Sequence, residues 1–398
     1  MSTDAGSLPA VSMPIGGTPL APPEEFRPIR ETGPAHPLRF ADGHRGWLVT
    51  GYEQGREILQ DPRFSLHPRR LPIGPAEPDD FAIDEVARQA RAEAHFLTLD
   101  PPVHTRIRRS AMSRFSIRAV KGYRDGVERI VDDRLDALEA AGSPVDLTEV
   151  YAGPVAMLTQ CLVLGVPMAH VATFLDTFTS FHPDQAKFDF LREVLDEKRA
   201  SPGDDALSDL VTSSELSDTE VQGITFALLV SGHDSVTSMI SLGAVALLAH
   251  PEQLAAFRAG SVPLAGAVEE ILRFGTLFAG VLPRTATDDV DLAGVHLRKG
   301  ETVVVSPMAV NRDGSRFADP DRFDIARSDA LGHLAFGHGV HACMGQQLAR
   351  LEISVALSRL FARFPTLRLV VPPDEVPQPL FSDLPTYTAG AVEVAWGS

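Results

Sequence analysis

The stretch Phe336-Gly337-His338-Gly339-Val340-His341-Ala342-Cys343-Met344-Gly345, followed by Gln346-Gln347-Leu348-Ala349-Arg350, decides the fold. A single cysteine stands in a glycine-rich loop that runs straight into a helical pattern, with Ala349, Ile353, Ala356, Leu357 and Leu360 at helical spacing. A thiolate here lies near a helix N-terminus, where backbone N–H groups and the macrodipole favour negative charge. The glycines let the backbone pass close to something flat and bulky. One cysteine without a Cys-x-x-Cys or His-x-x-His partner cannot build a tetrahedral zinc site. It suits the single proximal ligand of a haem iron.

An isolated cysteine beside a turn is more often a structural thiol, but the whole string says otherwise. It resembles the haem-binding loop of the cytochromes P450, Phe-Gly-x-Gly-x-His-x-Cys-x-Gly, and matches every fixed position. The resemblance implies haem b as cofactor, Cys343 as the iron ligand, and Phe336, Gly337 and Gly345 in the cradle around it. It covers the chain from about residue 20 to the C-terminus. The implied fold is mainly α with a smaller β-rich part: a loose arm over 1–25, then one domain over 26–398, with its helix-rich portion at about 100–275 and the haem loop at 336–345.

Composition is consistent with this. A chain of 398 residues with 44% hydrophobic content can bury a large core. A net charge of -17 gives no basic excess to neutralise phosphates, which argues against nucleic acid. Cys161 and Cys343 lie too far apart in sequence to suggest a secreted disulfide framework. No apolar run of about 18 residues or charged leader opens the chain, so a cytoplasmic protein without a membrane segment is expected, as in bacterial P450s. Arginine in excess of lysine and abundant alanine hint at a GC-rich, actinomycete-like genome.

Periodicity predicts a strand at Trp47-Leu48-Val49-Thr50, a helix from about Glu53 to Leu59, and a proline-rich loop over 65–83 that covers a site. Helical patterns run from Pro102 to His250, broken at Gly142-Ser143-Pro144 and at 201–205. Strands are expected at 290–292, 302–305, 367–371 and 392–395.

Ser217 to Ala249 reads as one helix, opened by a Ser217-Asp218-Thr219-Glu220 capping box and apolar nearly all round, so it runs through the core over roughly 50 Å. Its middle, Val230-Ser231-Gly232-His233-Asp234-Ser235-Val236-Thr237, places a glycine and a carboxylate where both are costly. This resembles the P450 segment over the distal haem face. The resemblance implies Asp234 as the acid and Ser235 as the alcohol that deliver protons during dioxygen activation, with Gly232 leaving room for the oxygen ligand. The family's usual threonine is serine here, which keeps the hydroxyl but loses the methyl that restricts χ1. Two readings follow: a conservative replacement in an ordinary monooxygenase, or tuned chemistry that couples aromatic rings oxidatively, for instance in cyclic dipeptides, without oxygen insertion.

His104 and Arg108 share a helix face at i and i+4. The resemblance makes them, with Arg284 and His341, the partners of two haem propionates, and brings Met112 close to the haem. Glu270 and Arg273, three apart, read by themselves as a surface pair. In the family pattern they form a structural Glu-x-x-Arg signature with Arg322 as its third member. Family topology suggests Phe278, Val281, Ala227 and Thr386 for the substrate pocket, along with 65–95, 170–190 and the turn at Leu384-Pro385, while His233 either points into the pocket or hydrogen-bonds across the helix. No flavin or iron–sulfur module is present, so the resemblance implies ferredoxin and ferredoxin reductase as electron donors to a small-molecule oxidation in secondary metabolism. Arg106, Arg109, Arg114 and Arg118 form a candidate basic patch for an acidic ferredoxin.

Overall fold

The structure, a computed structural model, describes residues 8–68, 70, 72–73, 83–179, 184–292, 295–381 and 385–397. Its centre is the helix Asp234–Ala249, where Val236, Met239, Ile240, Leu242, Val245 and Leu247 point in different directions and are all buried. A helix apolar on every side must be surrounded. It packs against the helices Leu264–Phe274 and Gln346–Arg363, which turn Ile271, Leu348, Ile353 and Leu357 inward. Gly243 permits the close approach, since a Cβ there would lie 2.8 Å from Leu357 Cδ1 and 3.1 Å from Ile271 Cγ2. A second core joins the helices Glu85–Ala94, Gly153–Leu164, Asp184–Ala200 and Asp218–Ser231, with Phe188 stacked on Phe226 at 4.3 Å.

The β-rich part is smaller. A five-stranded sheet runs in the order Ala35–Arg39, Arg45–Val49, Thr302–Val305, Arg284–Ala286, Phe64–Ser65. Trp47 pairs with Val303 in parallel register, and the other neighbours are antiparallel. Arg284 enters the site from this sheet, held between Thr302–Val305 and Phe64–Ser65. A three-stranded sheet of Val145–Asp146, Glu393–Ala395 and Arg368–Leu369 ties the C-terminal segment to the helical body. Among the described residues no single helix is long and apolar enough to cross a membrane.

Two expectations change. The arm is not loose over 8–25: Val11 bridges to Leu38, Arg39 N–H donates to Val11 O at 2.8 Å, and Met13 is buried beside Phe26 and Ile29. Its apolar residues are what anchor it; residues 1–7 lie outside the described residues, as does most of the 65–83 loop. The long central helix is also two helices, Asp218–Ser231 and Asp234–Ala249, parted at Gly232–His233. The Ser217 capping box forms as expected, with Ser217 and Glu220 exchanging hydrogen bonds.

Candidate functional site

A cavity of about 490 Å³ lies between the 218–249 segment and the cysteine loop. Most of its wall is apolar, with Leu66, Phe96, Leu228, Met239, Leu277 and Phe278 among the lining residues. Cys343 opens onto it. The loop is closed by Cys343 N–H donating to Phe336 O at 2.8 Å, and turned by Gly337 and Gly339 at φ +67 and +72. A Cβ on Gly339 would stand 2.3 Å from Leu59 O, whereas one on Gly337 or Gly345 would meet nothing within 4 Å. The loop therefore presses on the protein at one glycine and faces open space at the other two. Phe336 is backed by the Arg350 guanidinium, 4.6 Å from its ring centroid.

Burial pushes the Cys343 thiol up, against the opposing effect of the Gly345 and Gln346 N–H groups and the Arg108 and Arg350 charges. A coordinating cation would reverse this by deprotonating the thiol outright.

The four predicted propionate partners converge beside Cys343. His104 and His341 lie 4.1 Å apart between ring centroids, and the Arg108 guanidinium donates to Ala342 O. Burial, then the charges of Arg108 and Arg284, push the His104 imidazole down to about 4, with Asp100 opposing. Burial, Arg284 and His104 push His341 down to about 3. Burial also lowers Arg284. Both ring nitrogens of His104, Nε2 of His341 and Nε of Arg284 are buried without a partner. Buried donors without acceptors are rare and costly. A group carrying two carboxylates, placed over an open glycine loop and a cysteine, fits this donor set, so the residues present fit haem. Met112, by contrast, is exposed and does not line the cavity, because its helix, Val103–Met112, turns His104, Ile107 and Ala111 inward instead.

Gly232, Asp234 and Ser235 line the cavity at the break between the two central helices. His233 does not: it is buried, with Nε2 3.3 Å from Phe178 O and 3.2 Å from Asp234 Oδ1. Of the other predicted pocket residues, Phe278, Val281 and Thr386 line the cavity, and Phe278 bridges to Thr386. Ala227 is fully buried in the helical core, one of the residues that turn away from the cavity as the helix rotates. Leu384 lies outside the described residues.

Glu270 and Arg273 are no surface pair. Both side chains are 0% exposed, and the guanidinium donates to both carboxylate oxygens at 2.6 and 2.8 Å. The third member is not Arg322, whose side chain is 65% exposed and which contributes only its carbonyl to Arg273. Arg327 takes that place, with Nε 3.3 Å from Glu270 Oε2. The Pro320–Phe323 turn aims the Arg322 side chain outward, and the chain reaches Glu270 only five residues later. The basic patch is also smaller than expected: Arg106 pairs with Glu220, and Arg114 with Asp204 and Asp209, leaving Arg109 and Arg118 exposed.

Sequence reasoning missed three groups. Glu269 binds Arg350 at 2.6 and 3.0 Å and His333 at 3.0 Å, fastening both flanks of the cysteine loop. Burial pushes its carboxyl up, and these partners more than offset it, to about 2. Glu352 lines the cavity, fully buried, with its carboxyl pushed well above the usual range by that burial. Gln160 also lines it, donating to Leu228 O and Leu229 O. The available signal was a polar residue in an otherwise apolar helix face: Gln160 among Val155, Met157 and Val163, Glu352 among Leu348, Ile353 and Ala356.

A family model described as Cytochrome P450 matches residues 263–387. The chain is 40% identical over 395 residues to Cytochrome P450 105C1 of a Streptomyces species, covering 95% of this chain and 96% of that one. It is 39% identical to Cytochrome P450 monooxygenase PikC of Streptomyces venezuelae, over 89% of this chain and 88% of the relative. The crystal structure of cytochrome P450 MoxA from Nonomuraea recticatena superposes with a TM-score of 0.86 at 33% identity, covering 100% of this chain and 99% of that one. Sequence similarity along nearly the whole length and a shared fold thus agree with the cysteine loop and the cavity above it: the chain belongs to the cytochrome P450 family of oxidoreductases.

Proposed function

We propose that this chain is a haem-thiolate monooxygenase that oxidises a small, largely apolar organic substrate in actinomycete-type secondary metabolism, with electrons from a ferredoxin and ferredoxin reductase in the cytoplasm. The observation that carries the reading is the set of buried, unpartnered nitrogens of His104, His341 and Arg284 beside Cys343. Bound haem supplies dioxygen activation, which its thiolate ligand favours. Cys343 Sγ would hold the iron, and His104, Arg108, Arg284 and His341 would hold the propionates by charge-assisted hydrogen bonds. The open loop at Phe336, Gly337 and Gly345 accommodates the ring. At the break between the two central helices, Asp234 as the acid and Ser235 Oγ as the alcohol would hold and relay the protons this chemistry consumes. The apolar wall that includes Phe278 and Val281 orients the substrate and excludes bulk water, and Thr386 offers it a hydroxyl. Arg109 and Arg118 offer the remaining positive charge to an acidic ferredoxin.

The relatives support oxygen insertion: PikC is named a monooxygenase. Oxidative ring coupling draws no comparable support. The test is a Soret titration of purified protein with macrolactones, terpenoids and aromatic cyclic dipeptides, followed by turnover under labelled dioxygen. A low-to-high-spin shift with a macrolactone or terpenoid and one labelled oxygen atom in the product is expected. A shift with dipeptides alone and an unlabelled coupled product would overturn the reading in favour of coupling.

A further inference from the structure

We propose that Gln160 is a positioning residue for Asp234 and Ser235: its side-chain amide replaces the two backbone N–H groups that leave the helical ladder at Gly232–His233, and so holds the break open beside the cavity. The proposal rests on the haem-thiolate reading above. In an unbroken helix the carbonyls of Leu228 and Leu229 accept from the N–H groups four residues on, those of Gly232 and His233. Here they accept from Gln160 Nε2 instead, at 2.7 and 3.0 Å. One NH2 group thus satisfies two carbonyls that would otherwise be buried without a donor, a costly state. The amide orientation is fixed by chemistry, because the flipped amide would set Oε1 against two carbonyl oxygens.

Gly232 is the other half of the device. A Cβ there would lie 2.4 Å from Gln160 Nε2 and 2.9 Å from its Cδ. The glycine admits the amide to the break. A side chain at 232 would therefore push the Gln160 amide off the two carbonyls, independently of any room needed for an oxygen ligand. Gln160 is itself 6% exposed, sits in the helix Gly153–Leu164, and borders the same cavity as Asp234 and Ser235. Its Oε1 has no protein partner, so the two carbonyls alone fix the amide. If the amide is lost, the released carbonyls recapture the N–H groups of Gly232 and His233. The two helices then join, and the first turn of the second helix, which carries Asp234 and Ser235, rotates away from its present position.

The test uses the full haem-loaded chain and the variants Gln160→Met, Gln160→Glu, Gly232→Ala and the Gln160→Met/Gly232→Ala double. A surrogate plant ferredoxin and its reductase drive the reaction. Two quantities are read: hydrogen peroxide released per NADPH oxidised, and backbone amide exchange over 228–236. Each single variant is expected to keep the red-shifted carbon monoxide band, to change exchange at 232 and 233, and to raise the peroxide share about fivefold or more. The double is expected to be no worse than the more severe single, because both changes remove the same contact. A Gln160→Met protein with wild-type peroxide share and exchange overturns the proposal. So does one that loses only thermal stability, or a double whose effects simply add. Failure of the haem-thiolate reading shows separately, as absence of the carbon monoxide band from the wild-type protein.

Discussion

The imidazoles of His104 and His341 lie 4.1 Å apart, and each has a buried Nε2 without a partner. Burial first, and then the positive charges of Arg284 and Arg108, hold both well below the ordinary histidine range. An incoming pair of carboxylates relieves all three groups at once. Arg284→Leu and His104→Leu are therefore expected to release haem to an excess of apomyoglobin about tenfold faster than wild type, since a hydrogen bond to a charged group contributes about 1.5–3 kcal/mol. Unchanged haem-transfer rates would remove these residues from propionate binding.

Glu270 distinguishes the two arginines proposed around it. Arg327→Ala removes one buried partner of a fully buried carboxylate and is expected to cost about 2–3 kcal/mol in urea unfolding. Arg322→Ala changes an exposed side chain and is expected to stay within about 0.5 kcal/mol of wild type. The reverse order of effects would restore Arg322 as the third member.

Glu352 makes stability depend on pH in an unusual direction. Burial, opposed by the Thr159 hydroxyl, keeps its carboxyl neutral in the fold well above the ordinary value of 4.5. Above that value the unfolded chain has lost a proton that the fold retains, so stability falls with rising pH by up to about 1.4 kcal/mol per pH unit, until the folded carboxyl itself ionises. Glu352→Gln removes this slope. Its melting temperature is expected to gain on that of wild type as the pH rises above 4.5, until the folded wild-type carboxyl ionises. A margin that is constant or shrinks would mean the carboxylate is charged in the fold.

Asp234 and Ser235 are separable by product yield. Asp234→Asn is expected to lower product formation by about a hundredfold, in the range for loss of a general acid, while leaving the substrate-induced spin shift intact. Ser235→Ala is expected to divert reducing equivalents to peroxide, and Ser235→Thr to keep wild-type coupling. Full coupling in Ser235→Ala would show that the proton passes another way.

Much of the fold, and the cluster of His104, Arg108, Arg284 and His341 beside Cys343, was legible in the sequence. The cysteine loop, the His104–Arg108 spacing and the capping box at Ser217 are local signals, set by residues a few positions apart, and each forms as read. What was not legible depends on contacts distant in sequence. The break at Gly232 was hidden because the amide that occupies its freed carbonyls, that of Gln160, lies on another helix. Arg322 looked right by its neighbours, but the path of the 320–327 segment brings Arg327 to Glu270. Spacing alone made Glu270 and Arg273 an ordinary surface pair, and only the family pattern made them structural, since spacing along a helix cannot tell which pairs are buried. Ala227 misled for a related reason, and the choice left open for His233 was settled the same way: helical rotation at a break decides which residues face the cavity.

The most direct measurement is the carbon monoxide difference spectrum of the reduced, haem-loaded protein, wild type against Cys343→Ser. The predicted result is a strongly red-shifted Soret band in wild type that is lost in the variant, because only a thiolate opposite carbon monoxide produces it. The same band in both proteins, or its absence from haem-loaded wild type, would contradict Cys343 as the iron ligand.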